Sequence, residues 1–145
     1  MVKGELDDVD SLQAAFKGAH AIFGVTDYWG PFLDPANTAK VKPGQTINEY
    51  CYELEVQRGK NIALAAAGVD TLERFVFSSL SDAKKWSKGK YARVYHFESK
   101  AKVVEYIKEE LPQLHKKTSL VQVGWYMANW KLPAFQTQKV SESLP

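Results

Sequence analysis

Residues 95–111 read Tyr95-His96-Phe97-Glu98-Ser99-Lys100-Ala101-Lys102-Val103-Val104-Glu105-Tyr106-Ile107-Lys108-Glu109-Glu110-Leu111. Wound as a helix, the stretch places Phe97, Ala101, Val104, Ile107 and Leu111 on one face at spacings of four, three, three and four. At about 100° per residue, Lys100 falls inside that apolar arc, between Val104 and Ile107. Glu98, Lys102, Tyr106 and Glu109 hold the opposite side. A lysine within an apolar arc either snorkels to the rim or holds an anion or hydroxyl in a cleft. The flanking sequence decides between these.

On the N-terminal side lies Arg74-Phe75-Val76-Phe77-Ser78-Ser79, an apolar run closed by small polar residues, as for a buried strand. Before it, Thr46 caps a long predicted helix ending at Ala67, with Gly68 as terminator and Ile47, Cys51, Leu54, Ile62, Ala65 and Ala66 on the buried side. Gly59 in mid-helix costs about 1 kcal/mol against alanine, which points to a close approach by a strand or helix. Gly30 to Gln45 reads as loop, with three prolines and two glycines. Ala21-Ile22-Phe23-Gly24-Val25 reads as a strand buried on both faces, ending in Thr26-Asp27-Tyr28-Trp29. Asp8 caps a helix from Val9 to Lys17, with Val9, Leu12 and Phe16 inward and Gly18 at its end. Val2 to Leu6 reads as the tail of a further strand.

On the C-terminal side, Pro112 and a polar turn lead into a strand over Thr118–Val123 and then Gly124 to Trp130. Leu80 to Arg93 is a loop carrying Lys84, Lys85, Lys88, Lys90 and Arg93, either a solvated face or a phosphate site. The order of strand end, helix, strand, helix, strand, helix, strand argues for an α/β fold with a parallel sheet. It is half of a doubly wound, Rossmann-like domain over residues 1–130, followed by a C-terminal tail over 131–145.

The composition narrows the function. The chain has 145 residues, 45% hydrophobic and 25% charged, with a net charge of +2. That balance implies neither direct nucleic-acid binding nor an anionic membrane. The single cysteine, Cys51, fits a reducing compartment, cytoplasmic or nuclear. His20, His96 and His115 lack metal-ligand spacing, so no metal site is expected. Neither a nucleophile elbow, a P-loop nor a G-x-G-x-x-G occurs. What remains is the set of strand carboxyl ends, which open on one edge of a parallel sheet beside Lys100. A lysine among hydroxyls and aromatics there suits a nucleotide ribose.

These residues also carry a resemblance. The pieces are V-x-G-x-x-D-D at Val2 to Asp8, F-x-V-T-x-Y-W at Phe23 to Trp29, and E-V-x-x-G-K at Glu55 to Lys60. The serine-ended strand Phe75 to Ser79, H-F-x-x-K at His96 to Lys100, and the turn Tyr126 to Asn129 complete the set. Over Val2 to Trp130 the chain resembles the NmrA-like family, atypical short-chain dehydrogenase/reductase relatives, and within it the NADPH-sensor branch. The resemblance implies NADP(H) as ligand, with Glu5 and Leu6 near the adenine and Thr26, Asp27 and Tyr28 lining the cofactor. Gln57 stands where that branch has a lysine. Lys100 would hold the nicotinamide ribose, and Tyr126, Met127, Ala128 and Asn129 would flank the nicotinamide.

Two departures from the family pattern bear on function. The usual Tyr-x-x-x-Lys pair is replaced, because His96 stands four before Lys100 and Tyr95 is one position off. His96 is therefore either a proton donor working with Lys100 or a residue bordering the cleft. The first strand-helix-strand unit, with its Gly-rich phosphate turn, and the C-terminal substrate cover are expected to be missing. That makes cofactor affinity doubtful and exposes sheet edges to self-association or a regulatory protein partner. Three readings stand: an NADP(H)-binding redox-sensing regulatory domain, an NAD(P)H-dependent oxidoreductase, or a non-binding remnant.

Overall fold

A computed structural model describes residues 2–124 and 126–131, without the side chain of Trp130. Three strands form one parallel sheet in the order β1-β2-β3, with β1 at Ala21–Gly24, β2 at Arg74–Ser79 and β3 at Thr118–Gln122. The register sets Ile22 beside Phe75 and Gly24 beside Phe77, and Phe77 beside Leu120. The helices are α1 (Val9–Phe16), α2 (Trp29–Leu33), α3 (Ile47–Ala67), α4 (Ala83–Trp86), α5 (Tyr95–Glu110) and α6 (Pro112–Lys116). Short 3₁₀ turns occupy Pro35–Lys40 and Met127–Lys131. The alternating α/β order and the parallel sheet are those of a partial Rossmann-like fold. The tail expected over 131–145 lies outside the described residues except for Lys131.

Local chemistry fixes the helix ends. Asp8 Oδ1 accepts from the amides of Asp10 and Ser11, starting α1 as expected. Thr46 and Glu49 form a reciprocal capping box on α3, and Gly68 closes it. Gly18 adopts φ +75° after α1, a backbone geometry that glycine takes without strain.

One face of the sheet packs against α3 and α5. Ile22, Phe75 and Phe77 meet Ile62, Ala63, Ala66, Val103 and Ile107 in the core. A Cβ at Gly24 would stand 3.1 Å from Ile62 Cγ2, so the small residue lets α3 lie close. α1 packs against α3 and adds Leu12. Among the described residues, no helix is long and apolar enough to cross a membrane.

Several expectations need correction. β1 is not buried on both faces: Ile22 is buried, but Phe23 and Val25 are 61% and 46% exposed. Among the described residues, helices cover only one face, so residues alternate along the strand. Val2–Glu5 form no strand, since no strand among the described residues supplies a ladder; the segment lies along α1, where Gly4 approaches Ala15. Gly30–Gln45 is not irregular throughout but holds part of α2 and the Pro35–Lys40 turn, with Asp34 capping the latter. The polar turn after Pro112 is the one-turn helix α6.

The inward line of α5 is also rotated from the expected one. It runs Ser99, Val103, Ile107, while Phe97, Ala101, Val104 and Leu111 are half-buried at its margins. Two partners on α3 cause the rotation. Glu55 draws in the Ser99 hydroxyl, and Gly59 leaves the space that Val103 fills. Tyr106, expected outside, is half-buried beneath Lys60, whose ammonium sits 5.0 Å from its ring centroid. On α3, Ile47 and Leu54 are likewise only half-buried.

Candidate functional site

The strand alternation brings Thr26, two residues beyond β1, inward at 5% exposure. α3 presents Glu55 toward it, and α5 presents Ser99 and Lys100. The Lys100 Nζ donates to Thr26 O at 2.7 Å, Thr26 Oγ1 at 2.9 Å and Glu55 Oε1 at 2.8 Å. An ammonium has three hydrogens, so every one is committed. Thr26 Oγ1 in turn donates to Glu55 Oε1 at 2.7 Å, and Ser99 Oγ donates to Glu55 Oε2. Lys100 retains 12% side-chain exposure and Glu55 none. The lysine therefore does not snorkel; it is seated in an ion pair at the carboxyl end of β1.

Aromatic rings wall this corner. The His96 ring lies 5.0 Å from Trp29, 5.9 Å from Tyr28 and 4.8 Å from Phe97, centroid to centroid. Burial holds the His96 imidazole below its ordinary pKa; Glu55 opposes that shift and Lys100 adds to it. Tyr28 is buried and its hydroxyl donates to Asn48 Oδ1 at 2.9 Å. Burial, reinforced by Cys51 and Glu55, pushes that hydroxyl up to about 12. Tyr95 points elsewhere, its ring edge-on to Tyr52.

The other sequence-predicted residues divide into groups. Asp27 accepts from the amides of Trp29 and Gly30 at 2.9 and 3.1 Å, fastening the start of α2. Leu6 and Gln57 meet through Asn61, which donates to Leu6 O at 2.8 Å and accepts from Gln57 Nε2 at 2.9 Å. Glu5 is exposed, its amide bonded to Ser11 and its carboxylate to Lys3. Tyr126, Met127, Ala128 and Asn129 form the turn beyond β3, with Tyr126 and Met127 60% and 84% exposed. No described contact joins that turn to Lys100.

Lys84 and Lys85 line a separate cleft of about 670 Å³ beside Ser79, Ser81 and Gln122. Asp82, Glu98, Glu105 and Glu109 share its walls with Lys102 and Lys108, so the cleft carries charges of both signs rather than forming a basic cup.

Glu55 and Ser99 were not among the expected site residues. A signal for Glu55 existed: it sits on the line Cys51, Glu55, Gly59, Ile62, a carboxylate on an otherwise inward stripe. Such a charge needs a buried partner, and Lys100 was the lysine in an apolar arc.

A model of the NmrA-like family matches residues 1–143 of the chain. The chain belongs to the NmrA-like family. This makes it a domain of the NAD(P)-binding, atypical short-chain dehydrogenase/reductase type. Among the described residues, the NmrA-like chain has one corner that would suit part of such a nucleotide. Thr26, Tyr28, Trp29 and Lys100 stand together at a strand's carboxyl end, where a ribose could be held. Two helix starts flank the strand carboxyl ends, those of α2 and α4. The amides opening α2 are taken by Asp27, and the Lys85 amide in α4 is taken by Asp82. At both of those helix starts a carboxylate already stands where a phosphate would sit.

Proposed function

We propose that this NmrA-like chain is an NADP(H)-responsive, redox-sensing regulatory domain that binds the dinucleotide weakly and performs no hydride chemistry of its own. The observation that carries this is the state of Lys100, whose three ammonium hydrogens are held by Thr26 and Glu55. In a working short-chain dehydrogenase pair, a lysine lowers the pKa of a tyrosine that protonates the substrate. Here Lys100 touches no tyrosine. The tyrosine in the same corner, Tyr28, has its hydroxyl raised to about 12, the opposite of what proton donation needs.

The preference for NADP(H) over NAD(H) rests on the family resemblance. A regulatory protein partner or a second copy would dock on the open face of the sheet at Phe23 and Val25. The cytoplasmic or nuclear setting rests on Cys51, a buried free thiol.

The oxidoreductase reading draws on one observation, that His96 lies four residues before Lys100 at the same corner. Its lowered pKa keeps the imidazole neutral near pH 7, which weakens it as a proton donor.

The test is the thermal midpoint of the chain with and without millimolar NADPH, beside Lys100→Ala, together with NADPH absorbance over a panel of quinones and carbonyls. Ligand at about 100 times its dissociation constant adds about 2.7 kcal/mol, a shift of several degrees; weaker binding gives less. An upward shift abolished by Lys100→Ala, without loss of absorbance, is expected. Turnover would establish the enzyme instead. A cooperative melt that NADPH leaves unmoved would leave a scaffold or a remnant.

A further inference from the structure

Lys84, Lys85, Lys88 and Lys90 fall within seven residues, and no acid interrupts the chain between Asp82 and Glu98. The ion pairs among the described residues use Lys3, His20, Arg58, Lys100 and Lys102, none of them from this segment. Two aromatic side chains stand among the lysines, Trp86 at 78% and Tyr91 at 56% exposure. The Lys90 ammonium lies 5.4 Å from the Tyr91 ring centroid. Lysines alone would serve a solvated loop. An exposed indole and phenol add nothing in water, but they are the side chains that anchor protein interfaces.

The backbone of the segment is already fixed. Gly89 N donates to Lys84 O at 2.8 Å and Lys88 N to Lys85 O at 3.1 Å, closing α4 as a Schellman turn. Tyr91 N donates to Ser87 Oγ at 2.9 Å. Lys88 sits at φ +53°, where glycine is the residue without strain. A turn held this firmly loses little freedom when a partner arrives.

We propose that residues 84–91 dock a short acidic segment of a protein partner, its carboxylates on the four lysines and an apolar or aromatic side chain on Trp86. Charge complementarity selects an acidic occupant, and the surroundings of the turn select a short one. Lys84, Lys85 and Trp86 border the cleft whose walls also bear Glu98, Glu105 and Glu109. A nucleic-acid strand or an anionic bilayer extends beyond the turn and meets those carboxylates. The net charge of +2 gives either one little long-range attraction. A peptide can end at the cleft or set a cation against its acids.

The test is fluorescence anisotropy of a short labelled peptide of aspartates and glutamates around one phenylalanine–leucine pair, titrated with the native chain. Saturable binding that weakens as salt rises is expected. Lys88→Glu combined with Lys90→Glu should weaken it about tenfold or more, because two attractions become repulsions. Lys3→Glu combined with Lys17→Glu makes the same change in net charge at exposed positions elsewhere and should leave the affinity within about twofold. Trp86→Ala should weaken binding about tenfold. All these side chains are exposed, so the thermal midpoint should stay in place.

No saturable binding at millimolar peptide would overturn the proposal. So would equal losses in the two charge-reversed variants, or full affinity in Trp86→Ala. Tighter binding of a labelled oligothymidylate, or of phosphatidylserine vesicles, would assign the turn to a nucleic acid or a membrane and overturn it as well. Because no dinucleotide enters the assay, its failure is separate from failure of the NADP(H) reading.

Discussion

Gly59 of α3 and Val103 of α5 meet so closely that a Cβ at position 59 would stand 2.4 Å from Val103 Cγ2. That approach lets the two helices lie together over the sheet and sets Glu55, one turn before Gly59, against Ser99, one turn before Val103. Gly59→Ala gains about 1 kcal/mol in helix propensity but must displace a fully buried β-branched side chain. Overpacking costs about 1–3 kcal/mol, so a net loss is expected. Urea unfolding of Gly59→Ala with and without Val103→Ala checks this. If Val103→Ala does not relieve the effect of Gly59→Ala, the contact is not its cause.

The Glu55–Lys100 pair should behave as one unit. Glu55→Leu strands an ammonium and Lys100→Met strands a carboxylate, each expected to cost about 3–5 kcal/mol. The double variant should lose less than either single one, because no unpaired charge remains. Losses that simply add in the double variant would refute the coupling.

Stability should depend on His96 in mild acid. Burial lowers its pKa in the folded chain below 6.5, so below pH 6.5 the unfolded chain binds the extra proton first. The contribution is complete above 6.5 and is lost as pH falls through the folded value. Asp7, lowered from 3.8 mainly by its hydrogen bond to Arg58, acts only in stronger acid. Denaturation midpoints across pH 7 to 5 should fall in the native chain and fall less in His96→Gln. Equal slopes would show that another group is responsible.

Asn61 should govern the N-terminal segment. It is buried at 5% and holds the Leu6 carbonyl at 2.8 Å, while Arg58 grips Asp7 with two hydrogen bonds of 2.8 and 2.7 Å. Asn61→Ala removes the tie and is expected to cost about 1–3 kcal/mol. Trypsin cleavage after Lys3 should accelerate more than cleavage elsewhere. Unchanged cleavage there would mean that Gly4 on Ala15 and the Asp7–Arg58 pair hold the segment unaided.

The local signals were legible because they act over a few residues. Asp8, Thr46 and Gly68 mark helix ends through bonds to amides and carbonyls nearby in the chain, and all three appear where expected. The hydrophobic runs at Ile22 and Phe75 gave strands, and their alternation with helices gave a parallel sheet. Gly59 announced a close approach without naming its partner.

What the sequence determined by itself was therefore the order of the main helices and of the three strands, and a lysine at the wrong place on an apolar helix. The tertiary structure decided that Lys100 faces Thr26 and Glu55, partners 74 and 45 residues away. It also decided that α5 turns Ser99 and Val103 inward and that β1 leaves Phe23 to solvent. Periodicity reports which residues share a face. Which charge sits opposite, and whether a face is covered, depend on the packing of elements far apart in the chain.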